Sequence, residues 1–170
     1  RRCMRLVITG LPGCGKSSLL ANLEKAGVPV WSADAAVAGL YEPGRDAWLY
    51  VRRRFGDRFI PDDSAGVDKP ALFAAMKQDD ALRREIVEAV HPMAAHLLES
   101  FWKEHEAKRL AAAEVPLFFE SGHKAWRDAA DYTAGVYRSR SDRLKTLAST
   151  RGWSDEDLAI MESWQWPEKH

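Results

Sequence analysis

Apolar positions along the 170-residue chain fall into two alternating textures. Short runs ended by a glycine or a turn predict buried strands: Leu6 to Thr9, closed by Gly10; Val28 to Trp31 within "GVPVWSAD"; the run "AAAEVPLFF"; and "YTAGVY". Between the first two, Leu19, Leu20 and Leu23 share one helical face, and Gly27 stops the helix. Strands that alternate with helices predict an α/β fold, a three-layer α/β/α arrangement around a parallel sheet with ligands at the carboxyl ends of the strands. From residue 35 to 110 the texture is helical throughout: "DAWLYVRRRF", "PALFAAM", "ALRREIVEAV" and "PMAAHLLESFWKEHEAKRL", with a polar turn "GDRFIPDDSAGVD" after the first. The pattern therefore predicts a core made of residues 1–34 and 111–137, a helical insertion at 35–110, and charged helical sequence at 138–170.

Charge narrows the possible partners. Lys plus Arg and Asp plus Glu both number 25, so no net charge draws the whole protein to nucleic acid or an anionic membrane, and any anion site must be local. The run Arg52-Arg53-Arg54 reads as a solvated helix face. The longest apolar stretch, Ala111 to Phe119, is broken by Glu114 and Pro116 and is too short to span a bilayer. Cys3 and Cys14 read as reduced thiols, which makes the cytoplasm the expected compartment. His91, His96, His105, His123 and His170 show no zinc-ligand spacing. Met4 stands in fourth place after "RRC", and "WQWPEKH" closes the chain without strand or cap, so both ends read as cut from something longer.

One stretch carries chemistry. Gly10, Gly15, Lys16 and Ser17 in "GLPGCGKSS" satisfy G-x-x-x-x-G-K-[ST] between a predicted strand and a predicted helix. The glycines allow a tight turn whose N–H groups point at phosphate oxygens, and the following helix start favours negative charge. Lys16 reaches the β- and γ-phosphates in such a loop, and the Ser17 hydroxyl ligates Mg²⁺. ATP and Mg²⁺ are the expected cofactors. Asp34, just past the second strand, is placed either to orient the metal and take a proton from an attacking hydroxyl or to cap the helix "AAVAGL". No N-K-x-D motif is present, which argues against a GTPase and for a small kinase.

In the same order and at similar spacing, "GLPGCGKSS", "GVPVWSAD", "YEPG", "RRFGDRFI", "DKPALFAAMKQDDALRREIVEAVHP", "VPLFFESG" and "WQWP" resemble the dephospho-CoA kinase family over almost the whole chain. The resemblance implies a P-loop kinase of the nucleoside-monophosphate-kinase type, with a nucleotide core, a helical domain for the CoA-like substrate and a lid at 138–170. It implies transfer of the ATP γ-phosphate to the ribose 3′-hydroxyl of dephospho-CoA. It further implies that Gly13, Cys14, Gly15, Lys16, Ser17 and Ser18 bind ATP, that Asp34 activates the acceptor and holds Mg²⁺ directly or through water, and that His91, Pro116 and Glu120 lie near the substrate. His91 before Pro92 also fits a helix cap.

A lid should bring arginines to the transferring phosphoryl, and "YRSRSDRLKTLASTRGWS" offers Arg138, Arg140, Arg143 and Arg151, of which Arg140 and Arg151 are the expected catalytic pair. The chain departs from the family pattern at Arg143, where a glutamine is usual, at Thr150, where a lid arginine is usual, and at Ser32, where an aspartate is usual. Family members also continue past "QWP" through a strand and a helix. Either that piece lies outside this chain, together with a further fused domain, or the protein manages without it. Two other readings stay open: another P-loop kinase of small molecules, or a nucleotide- or CoA-binding domain of a larger polypeptide without turnover.

Overall fold

A computed structural model describes residues 2–116 and 130–164. It divides into two compact units: the described residues up to Ala33 and from Glu99 on form one, and Asp34–Leu98 the other.

The first unit is built on a four-stranded sheet. β1 (Met4–Thr9), β2 (Val30–Ser32), β3 (Leu110–Glu114) and β4 (Tyr132–Gly135) are all parallel, in the order β2-β3-β1-β4. Parallel central strands are covered on both faces, so they read as unbroken apolar runs and not as alternation. Val7, Ile8, Ala111, Ala112 and Ala113 are indeed fully buried. The alanines of β3 leave room for helix α1 (Lys16–Lys25), whose Leu20 packs on Ile8 and Ala112 with Leu6, Leu23, Val28, Val30 and Val136 around them. Each large aliphatic side chain buried there contributes about 1.5–3 kcal/mol.

β2 begins two residues later than its hydrophobicity predicts. Gly27, at φ +82°, turns the chain out of α1, and the Val28 N–H is consumed by the Leu23 carbonyl at 3.0 Å, so Val28 packs on the core without joining the ladder. β1, conversely, starts at Met4, earlier than the apolar run, because Met4 finds a partner in Leu110. After β4, helix α6 (Arg140–Arg151) is capped by Ser139 and ends at Gly152; a Ser154–Asp157 capping box then starts α7 (Asp155–Ser163).

The second unit is helical. α2 (Ala33–Leu40, whose first residue belongs to the first unit) leads into α3 (Asp46–Phe55), and α4 (Lys69–Gln78) into α5 (Asp80–Glu104, whose residues from Glu99 on belong to the first unit). Asp68 caps α4, accepting from the Ala71 N–H at 3.0 Å. The turn between α3 and α4 is pinned where Trp48 Nε1 donates to the Ala65 carbonyl at 2.7 Å. Arg54 and Tyr50 both donate to Glu85, and Arg52 pairs with Asp57 and Asp63, so two of the three consecutive arginines serve the unit's own ion pairs.

The cap reading of His91 is overturned: α5 runs through His91 and Pro92 without a break. A proline inside a helix loses one ladder bond and costs about 3 kcal/mol. Here a stripe at four-residue spacing, Leu82, Ile86, Val90, Ala94 and Leu98, is buried on both sides of it, and that continuous burial outweighs the lost bond.

Burial of Tyr41 pushes its phenol up to about 12. The unfolded chain ionises this group near pH 10 while the folded chain keeps it neutral. Stability present below pH 10 is therefore lost as pH rises through 12, eventually by about 2–3 kcal/mol. Thermal melts of the wild type and Tyr41→Phe at pH 8 and pH 11 check this. The variant should lose less on the move to pH 11, and an equal loss in both would show that Tyr41 ionisation is not linked to folding.

Candidate active site

The sheet order sets where a ligand can sit. From β1 the chain crosses to β2 on one side, and from β3 it crosses back over β1 to β4, so adjacent strands β1 and β3 send their connections in opposite directions. The crevice at their carboxyl ends is the topological switch point at which open α/β sheets bind ligands. The glycine loop leaves β1 at this point.

Within the loop, Gly13 at φ +76° and Gly15 at φ +100° take the left-handed backbone that other residues avoid. A Cβ on Gly13 would lie 2.9 Å from the Arg143 carbonyl and 3.0 Å from Leu147, so the loop also needs a glycine to accept α6 against it. Lys16 is buried, and its ammonium donates to the carbonyls of Gly10 at 2.7 Å and Leu11 at 2.9 Å, with Cys14 Sγ at 3.7 Å. These bonds curl the loop around its own lysine. The helix that follows has no side-chain cap at Gly15 and no acidic residue in its first turn. Its leading N–H groups and the positive end of its dipole therefore face outward as an anion site.

Gly10, Gly13, Cys14, Gly15, Lys16, Ser17 and Ser18 are thus brought together in one turn, with Cys14 buried and Ser18 exposed. A residue that the sequence reading took only as a break in an apolar run joins them. Glu114, the last residue of β3 and buried, places Oε2 3.4 Å from the Ser17 hydroxyl. Its register partners are Ile8 on one side and Ser32 on the other, so Glu114 and Ser32 share one level at the carboxyl edge. The signal is present in the sequence: an apolar strand ended by an acid is a form in which a phosphate-loop fold places a carboxylate beside the loop's serine. Two hard oxygen donors this close suit Mg²⁺, which keeps most of its coordination for water and phosphate.

The other expected residues are distributed as follows. Asp34 is exposed in the first turn of α2, which begins at Ala33, so it is not the helix cap. His91 lies mid-helix in the second unit, and Pro116 directly follows β3 and the buried Val115. Glu120 lies outside the described residues. Arg140 opens α6 and donates to Asp155 at 2.6 Å and Glu162 at 3.0 Å, while Arg151 closes the same helix with its guanidinium 5.5 Å from the centre of the Trp153 ring. Those two ends of a twelve-residue helix stand about 16 Å apart. Arg143, between them, is 2% exposed and donates to Glu162 at 2.7 Å, to the Arg138 carbonyl at 3.2 Å and to the Pro12 carbonyl at 3.5 Å. At this family-divergent position it ties the phosphate loop to α7, a role that depends on a carboxylate 19 residues away in sequence.

A phosphate loop at the switch point of a parallel sheet, with a helical unit inserted after the second strand, defines a P-loop kinase. Comparison with known proteins specifies which. A family model described as CoaE, dephospho-CoA kinase, matches residues 4–170. The dephospho-CoA kinase of Jannaschia sp. (strain CCS1) is 33% identical over 96% of this chain and 80% of its own length, and that of Geobacillus kaustophilus (strain HTA426) is 27% identical over 94% and 79%. Among solved structures, TT1252 from Thermus thermophilus superposes with a TM-score of 0.80 at 27% identity, covering 99% of this chain and 83% of that one. A dephospho-CoA kinase from Campylobacter jejuni shares the fold, with a TM-score of 0.57 at 16% identity, over 94% of this chain and 98% of that one. The chain belongs to the dephospho-CoA kinase family, phosphotransferases that phosphorylate dephospho-CoA with ATP in CoA biosynthesis.

Among the described residues no helix is long and apolar enough to cross a membrane.

Proposed function

We propose that this chain transfers the γ-phosphoryl of ATP to the ribose 3′-hydroxyl of dephospho-CoA with Mg²⁺ as cofactor, working in the cytoplasm. The observation that carries the reading is the convergence, at one edge of the sheet, of an uncapped helix start, a buried lysine and the Ser17–Glu114 oxygen pair.

Each part has a task. The N–H groups of Gly13 to Ser18 bind phosphate oxygens, and Lys16 exchanges its loop carbonyls for the β- and γ-phosphates, neutralising charge that spreads as the phosphoryl leaves. Ser17 and Glu114 would hold Mg²⁺, which would supply positive charge against the developing negative charge of the phosphates. Asp34 accepts the proton of the attacking hydroxyl. Ser32 supplies a hydroxyl at the level where relatives in the family pattern carry a second carboxylate, and the Asp34–Leu98 unit, with His91, receives the acceptor. The sequence reading further assigns Pro116, and Glu120 outside the described residues, to the acceptor, and Arg140 and Arg151 to the transferring phosphoryl.

The test is ADP release with Mg·ATP and dephospho-CoA, against reactions holding no acceptor, adenosine or AMP. ADP that forms only with dephospho-CoA, with the product phosphorylated at the 3′ position, supports the reading. ADP with adenosine or AMP would reassign the acceptor, and tight ATP binding without any turnover would make this a binding domain.

A further inference from the structure

Four arginines stand between the end of β4 and the corner after α6, and three of them are engaged elsewhere. Arg140 is held by two carboxylates, Arg143 is buried between Glu162 and the loop carbonyls, and Arg151 packs over Trp153 at the far end of the helix. A phosphate would have to draw Arg140 away from two charge-assisted hydrogen bonds.

Arg138 is different. It is exposed, and its Nη1 donates to the Thr146 Oγ1 at 2.9 Å, a neutral hydroxyl on the next helix. A hydroxyl orients a guanidinium without cancelling its charge. The acid that faces it, Asp142, accepts from the Ser139 hydroxyl at 2.7 Å; that bond, then the charges of Lys145 and Arg138, keeps this carboxyl ionised to lower pH than usual.

Its position is fixed by the backbone on both sides. β4 pairs with β1 to the end of the strand, and the Val136 N–H continues the ladder to the Thr9 carbonyl at 2.9 Å. A Cβ on Gly10 would lie 2.5 Å from the Val136 carbonyl oxygen, so the chain leaving β4 runs directly against the start of the phosphate loop. Two residues on, the Arg138 carbonyl and the Pro12 carbonyl accept from the same Arg143 guanidinium. A cation oriented by a neutral partner and anchored beside a phosphate loop is suited to a polyphosphate.

We infer that Arg138, oriented by Thr146, contacts the polyphosphate of the donor nucleotide, a role that the sequence pattern assigned to Arg140 and Arg151. The inference rests on the nucleotide-binding reading of the loop. Calorimetric titration of the full chain with Mg·ATP, and separately with adenosine, tests both. Arg138→Ala should weaken ATP about tenfold and leave adenosine affinity and the nucleotide-free melting temperature unchanged. Arg138→Lys should recover part of the loss, and Thr146→Val should weaken ATP severalfold. Lys16→Ala serves as the control for the loop. If Lys16→Ala weakens ATP and Arg138→Ala does not, the inference falls and the loop reading stands. Equal losses for ATP and adenosine in Arg138→Ala would overturn the polyphosphate contact. ATP affinity unchanged in Lys16→Ala would overturn the loop reading and the inference with it.

Discussion

Lys16→Ala is expected to reduce turnover by about two to three orders of magnitude, the usual consequence of removing one preorganised donor from a site of developing negative charge. The ammonium is positioned by the loop's own carbonyls at 2.7 and 2.9 Å, so it meets an incoming phosphate with little reorganisation. The same bonds make it part of the fold. Truncation leaves the Gly10 and Leu11 carbonyls to water, at a cost of about 1–3 kcal/mol where they are shielded. Measuring kcat and KM for ATP together with the melting temperature separates the two effects. A loss of turnover in a variant that still melts cooperatively within a few degrees of the wild type assigns the lysine to the reaction; less than a tenfold loss would show that phosphate charge is neutralised elsewhere.

Asp34→Asn is expected to lower kcat by about two to four orders of magnitude, the range that general-base catalysis supplies, while leaving ATP affinity within about twofold. Asparagine keeps the shape of the side chain and removes its charge. Asp34 is exposed in the first turn of α2, where a negative charge complements the helix dipole by about 0.3–1 kcal/mol. A purely helical role therefore predicts a small fall in melting temperature and full activity. A catalytic role predicts the reverse, and single-turnover kinetics with saturating dephospho-CoA distinguishes them.

What was legible in the sequence follows from how local each signal is. The loop was fully readable because its glycines, lysine and serine act within nine residues, and the parallel sheet followed from strands alternating with helices. Glu114 was passed over because its meaning comes from register: only pairing with Ile8 in β1 brings it to Ser17. The Arg143–Glu162 pair has no local signature, and neither do the two carboxylates that hold Arg140, which the sequence alone offers to a phosphate. At Pro92 the local breaker signal loses to a stripe of buried aliphatic residues on the same helix, which no single position reveals. The start of β2 was misjudged because hydrophobicity does not reveal that the Val28 N–H has already been spent on the helix before it.

The strand order has a consequence for biosynthesis. β1, which carries the phosphate loop, leaves the ribosome well before both its neighbours, β3 and β4, which lie at Leu110–Glu114 and Tyr132–Gly135. The last of them is complete only about 125 residues after Thr9, which at roughly 5–20 residues per second leaves the nascent loop without its walls for about 6–25 s. The helical segment at 34–98 is synthesised whole within that interval. A nucleotide therefore cannot serve as an early template for this protein, and ligand-assisted folding is confined to the moments after β4 has emerged.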